Sequence, residues 1–180
     1  MSLQARTETG AARRTTTRTQ DAVGLLLADH RAVKKLFGAY QDLMKARANR
    51  GTKSEKANLV QQICLELSVH AQIEEEIFYP AARKAIKDNE MMDEAVVEHA
   101  SVKDLVAQLA EMDPSEDLYD AKVVVLGEYF EHHVREEEKQ MFPRVKKTRL
   151  DLETLGEQLQ KRKIALTRRF AATTAKNRRH

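Results

Sequence analysis

The chain has 180 residues with six Gly, three Pro and no Trp, and 33% of its side chains are charged for a formal net charge of +3. That length suits one domain with extensions, and the shortage of Gly and Pro favours long helices over sheet. A single cysteine, Cys64, excludes an intramolecular disulfide, and no run approaches the roughly 18 apolar residues of a membrane span. Cys64, between Ile63 and Leu65, reads as a small buried hydrophobe. The N-terminus lacks the apolar core of a secretory signal, so a cytoplasmic location is the default expectation.

Residues 1–19 are polar and aperiodic and read as a disordered basic arm, with Arg6, Arg13, Arg14 and Arg18 against Glu8. From Asp21 the pattern turns helical. Leu26, His30, Val33, Phe37 and Tyr40 share one stripe, and Asn49-Arg50-Gly51 should end the helix. Thr52 and Ser54 are reasonable N-caps for a second helix, which runs to about Arg83. Its stripe holds Leu59, Ile63, Leu67, His70, Glu74 and Phe78, and Pro80 should kink or loosen the last turn. After a turn at Asp88-Asn89, a third helix over about 90–111 aligns Met92, Val96, His99, Val102, Val106 and Leu109.

Asp113-Pro114-Ser115 breaks the chain, with Ser115 as a candidate N-cap. The fourth helix, about 116–146, carries Val123, Leu126, Phe130, His133, Glu137 and Met141 on one side. A fifth amphipathic segment, about Leu150 to Phe170, presents Leu152, Leu155, Leu159 and Ile164. It could pack on the bundle or make a homo-oligomer contact with another chain. Residues 161–180 then hold eight Lys or Arg and no acid. Such tails are usually solvated, and no nucleic-acid motif accompanies this one. The predicted fold is all-α: an up-down-up-down four-helix bundle over residues 20–148, with an extra helix and basic tail over 149–180.

One pattern occurs twice. His70-Ala-Gln-Ile-Glu74-Glu75-Glu76-Ile-Phe78-Tyr79-Pro80 is matched by His133-Val-Arg-Glu136-Glu137-Glu138-Lys-Gln-Met141-Phe142-Pro143. A shorter pattern precedes each copy: Asp29-His30-Arg-Ala-Val33, then Glu98-His99-Ala-Ser-Val102. Residues four apart share a helix face, so each His-x-x-x-Glu projects an imidazole and a carboxylate together. Two hairpins set face to face would converge His30, His70, His99 and His133 with Glu74 and Glu137. A lone histidine on an apolar stripe is usually a satisfied core residue. Six buried polar groups without a task would be costly, a buried carboxylate most of all. Imidazole and carboxylate without thiolate suit iron, manganese or zinc. Six ligands exceed one four-coordinate ion and suit two ions bridged by carboxylates. Ferritin-like proteins use Glu-x-x-His, with the opposite order and a three-residue step.

These residues resemble the hemerythrin-like HHE cation-binding domain family over about 21–147, down to the aromatic-Pro endings Phe78-Tyr79-Pro80 and Met141-Phe142-Pro143. The resemblance implies two non-haem iron ions in an oxo- or hydroxo-bridged centre. By it, His30 and His70 would bind one iron, His99 and His133 the other, and Glu74 and Glu137 would bridge. Oxygen-carrying hemerythrins have a further His one turn after the third-helix ligand, where this chain has Lys103. Their last bridging carboxylate lies five residues after its His, which makes Glu138 the alternative to Glu137. Lys103 opens a coordination position or lets another group fill it. Tyr129 and Glu66 stand one turn before His133 and His70 and are read as a packing aromatic and a boundary carboxylate. His132, with Glu136, rivals His133, but only His133 lies ten residues before Pro143. Glu75, Glu76 and Glu138 read as a solvated acidic face or outer support, and His180 as part of the tail.

A small molecule such as O2 or H2O2 is the expected ligand. Oxygen or redox sensing, catalase- or peroxidase-like consumption of peroxide, reversible oxygen binding and iron handling are all left open. So is a helical interaction module in which metal is only structural.

Overall fold

The computed structural model describes residues 20–45 and 52–177. The expected arm at 1–19, the helix stop at Asn49-Arg50-Gly51 and His180 lie outside them. Helices are α1 (Ala22–Lys45), α2 (Thr52–Ile73), α3 (Tyr79–Ile86), α4 (Glu90–Glu111), α5 (Tyr119–Glu136), α6 (Phe142–Val145) and α7 (Leu152–Asn177). A π turn, Glu74–Phe78, joins α2 to α3, and another, Glu137–Met141, joins α5 to α6. The α2–α3 and α5–α6 units therefore act as two long helices. With α1 and α4 they make the four-helix bundle, in which α1 packs on α2 and α5, and α4 on α5 and α2.

Pro80 and Pro143 explain the π turns. Proline has no N–H, so a regular helix reaching it loses one i→i−4 bond. Here the helix absorbs the defect one residue earlier: Tyr79 N–H bonds back to Glu74 O, and Phe142 N–H to Glu137 O, each a five-residue step. The chain continues helically past both prolines, so of the kink or loosening expected at Pro80 the structure shows the loosening, a widened turn that begins at Glu74. Single π turns of this kind concentrate at functional sites.

Helix ends follow local chemistry. Asp21 Oδ1 accepts from Gly24 N at 2.7 Å and opens α1. Lys87, at φ 59, takes the left-handed conformation that closes α3. The break at Asp113-Pro114-Ser115 is present, but α5 starts at Tyr119, after left-handed Leu118. Ser115 instead donates to Asp113 within the connection, so it caps no helix.

Two apolar layers fill the bundle. One contains Leu26, Ile73, Phe78, Ala95, Met141 and Phe142; the other contains Val33, Phe37, Leu67, Val102, Leu126 and Phe130. The four conspicuous histidines fall between these layers on all four long helices, so the polar groups form a slab inside the core. Cys64 borders the second layer, half-buried, and burial pushes its thiol up to about 12.

Helix α7 lies across α1 and α2 and completes the first layer with Leu155, Leu159 and Leu166. Its buried stripe is displaced from the expected one: Ile164 is exposed, and Leu166 is fully buried. At Gly156 the helix approaches the start of α1 so closely that an added Cβ would sit 2.5 Å from Gln20 O. Only glycine permits that contact.

Candidate metal centre

His30 from α1, His70 from α2, His99 from α4 and His133 from α5 meet Glu74 and Glu137, the first residues of the two π turns. All six side chains are buried. His30 Nε2 lies 3.2 Å from Glu137 Oε2, and His70 Nε2 lies 3.2 Å from Glu74 Oε2. The same carboxylates reach the other hairpin: Glu137 Oε2 is 3.5 Å from His133 Nε2, and Glu74 Oε2 is 3.5 Å from His99 Nε2. Each carboxylate thus faces one imidazole of each hairpin. Two groups of donors within metal-holding distance result: His30, His70, Glu74 and Glu137, and Glu74, His99 and His133.

The outer ring nitrogens decide what the inner ones can do. His30 Nδ1 faces Glu138 Oε1 at 3.0 Å, His99 Nδ1 faces Glu75 Oε1 at 3.0 Å, and His133 Nδ1 faces Glu98 Oε2 at 2.7 Å. His70 Nδ1 faces Asp29 Oδ2 at 3.8 Å, an ion-pair separation rather than a direct hydrogen bond. A carboxylate accepts only, so it holds the proton on Nδ1 and turns the Nε2 lone pair inward. The supports follow the duplication. Glu75 and Glu138 each follow a π-turn glutamate, while Asp29 and Glu98 each precede a histidine.

Four inward lone pairs and two carboxylates are a poor hydrogen-bonding set by themselves. His30 Nε2, His70 Nε2, Glu74 Oε1 and Glu137 Oε2 are buried without a hydrogen-bond partner among the described residues. Orphaned acceptors that converge in this way are what a cation satisfies. The residues present therefore fit a metal.

Burial and neighbouring charge split the carboxylates. Burial, reinforced by Glu137, raises the Glu74 carboxyl well above its usual range. Burial opposes the charge on Glu137 too, but His133 and His30 outweigh it and hold that carboxyl low. Burial would likewise raise Asp29, but His70 and Lys163 together keep it below the ordinary carboxylate value. Hydrogen bonding from His99, with help from Lys103, brings Glu75 down to about 2.

Burial lowers His70 from 6.5 to about 4, which has a measurable consequence. Between those values the unfolded chain binds a proton that the folded metal-free chain refuses, so stability is lost as pH falls through that window. Glu74 acts with the opposite sign in the same range, so the His70 contribution is read as a difference: from pH 7 to pH 5, denaturant unfolding of metal-free protein is expected to show a more acid-sensitive stability in wild type than in His70→Gln. Equal slopes would show that His70 is not held neutral.

Lys103 does not enter the centre. Its Nζ binds Glu75, and Lys34, its counterpart after His30, reaches Glu138 Oε1 at 3.4 Å. Neither candidate to fill the position enters it. Tyr129 is 46% exposed and so does not pack as expected. Glu66 is partly exposed and lies 3.8 Å from Lys163. His132 is exposed, between Glu98 and Glu136, as its helix angle predicted. Glu76 pairs with Arg162 of α7.

The group that does enter is Tyr79, which the periodicity missed. Its Oη donates to Glu137 Oε1 at 3.1 Å and lies 3.4 Å from Glu74 Oε2. It is also 3.3 Å from both His99 Nε2 and His133 Nε2. Burial and the two glutamates raise its hydroxyl well above the usual phenol value. The equivalent residue of the second repeat, Phe142, stacks on His30 with ring centroids 5.7 Å apart. The tyrosine of the first copy, against phenylalanine in the second, was the available signal.

Comparison with known proteins identifies the family and the fold. The profile of the Hemerythrin HHE cation binding domain matches residues 21–145. A hemerythrin HHE cation binding domain-containing protein from Mycobacterium kansasii has a similar crystal structure, with TM-score 0.65 and 28% identity over 82% of this chain and 88% of that one. No curated protein matches significantly. Among the described residues, no helix is long and apolar enough to cross a membrane.

Proposed function

This chain belongs to the hemerythrin HHE cation-binding domain family, and from that premise we propose that it holds two non-haem iron ions and binds or consumes a small oxidant, O2 or H2O2. His30 and His70 would hold one ion and His99 and His133 the other, with Glu74 and Glu137 the carboxylates that would serve both. The observation that carries this reading is the position of each glutamate oxygen between imidazoles of opposite hairpins. A structural ion would need fewer ligands. The bound iron pair would supply the redox chemistry.

The chain's own residues set what reaches the centre. The six side chains are sealed between apolar layers, which restricts access to small molecules and keeps bulk water out. Phe142 and Phe130 wall the His30 side. Tyr79 Oη holds a proton on the His99–His133 side, which makes the two halves chemically unequal. That asymmetry replaces the one a further histidine at position 103 would have provided.

Metal analysis after anaerobic Fe(II) loading and desalting tests the reading. About two irons per chain are expected from the paired donor groups. One ion or none, with the helical spectrum intact, overturns it. Tyr79→Phe should retain both irons, since the six ligands remain. Its reaction with H2O2 should slow by about 100-fold, the low end of what a positioned proton donor contributes. An unchanged rate would remove Tyr79 from the chemistry.

A further inference from the structure

Three of the four carboxylates behind the imidazoles belong to the bundle surface. Glu138, Glu75 and Glu98 are 31%, 26% and 21% exposed, and side chains of the bundle itself face them: Lys34, Lys103 and His132. Asp29 differs on both counts. Its side chain is only 7% exposed, and its counter-charge comes from outside the bundle: Lys163 Nζ of α7 donates to Oδ1 at 2.5 Å.

We propose that Lys163 is a positioning residue for the metal centre, through which the fifth helix sets the orientation of His70. The proposal rests on the di-iron reading and adds α7 to it. Asp29 Oδ2 and His70 Nδ1 have no hydrogen-bond partner among the described residues and face each other at 3.8 Å. Among the described residues Lys163 is the one cation paired with Asp29, and it keeps this buried carboxylate directed at His70. Without it, that carboxylate turns toward water. The turn withdraws the support that fixes the imidazole. Leu155, Leu159 and Leu166 seat the helix that delivers Lys163, and Arg162 anchors the same turn to Glu76 through two hydrogen bonds.

The test uses the full chain loaded with Fe(II) without oxygen, then challenged with excess ferrous chelator. In Lys163→Met, one iron of the two should leave about tenfold faster, the low end of the effect of outer-shell changes on metal affinity. The other iron should leave at the wild-type rate. Lys163→Arg should restore slow release. Arg162→Gln, which breaks the neighbouring pair without touching Asp29, should behave as wild type. Wild-type release from Lys163→Met overturns the proposal. So does equal acceleration in Arg162→Gln, which would make docking of the helix, not the Lys163 charge, the cause. If Lys163→Met does not fold, Asp29→Asn takes its place, and wild-type release from it is equally fatal. Imidazole nitrogen NMR of the metal-free chain separates the two readings. If wild type binds no iron pair, the di-iron reading fails, while a His70 signal shifted by Lys163→Met still supports the positioning contact and an unshifted one refutes it.

Discussion

Glu137→Ala is expected to empty both metal positions rather than one. Its carboxylate lies 3.2 Å from His30 Nε2 and 3.5 Å from His133 Nε2, so it serves both hairpins. Removing it leaves each pair of imidazoles short of the charge that offsets a divalent ion in a dry site. Iron affinity should fall by well over 100-fold, beyond the roughly 10–100-fold cost of outer-shell changes. Glu74→Ala should behave alike, because Glu74 occupies the same place in the other repeat. His132→Ala should retain both irons, since its ring stands outside the centre. Metal analysis of the three desalted variants decides the matter. Full iron in both glutamate variants would overturn the ligand assignment.

The second large effect is thermal. Without metal, the core must bury His30, His70, His99, His133, Glu74 and Glu137 with several acceptors unpartnered. Loading should therefore stabilise the chain, by about 4 kcal/mol at free iron near a thousand times the dissociation constant. For a chain of this size that is a rise in Tm of roughly 10 °C. The pH dependence has a definite sign. Glu74 has a folded value raised above its ordinary 4.5, so the folded metal-free chain holds a proton that the unfolded chain has released. Its stability is lost as pH rises past 4.5 toward the folded value. In metal-free protein, Glu74→Gln should then raise Tm at pH 8 and do little near pH 4, where the carboxyl is already neutral. Differential scanning calorimetry in chelator measures both. A variant that melts lower at pH 8 would show that Glu74 is not a strained charge.

Much of the centre was legible because its rules are local. His-x-x-x-Glu places two donors on one helix face whatever surrounds it, and the repeat made chance improbable. The shared distance to Pro143 separated His133 from His132 for the same reason. Lys103 stands where oxygen-carrying hemerythrins have a histidine, but position alone does not reveal that it turns outward to Glu75. Tyr79 was hidden by a change of period. Five residues after Glu74 lie about 140° round a regular α-helix, away from the site. The π turn adds a residue to that turn and brings Tyr79 beneath Glu74, with its hydroxyl on Glu137.

By itself, then, the sequence determined the four-helix pattern, the six inward donors and the resemblance to HHE domains, since each depends on spacing within a single helix. The tertiary structure decided what depends on distance between helices. It set which carboxylate stands behind each imidazole, placed the Tyr79 hydroxyl against both hairpins, and laid α7 on the bundle so that Lys163 meets Asp29, 134 positions away. Helical periodicity carries no information about such contacts, because they arise only when separate helices pack and close a common core.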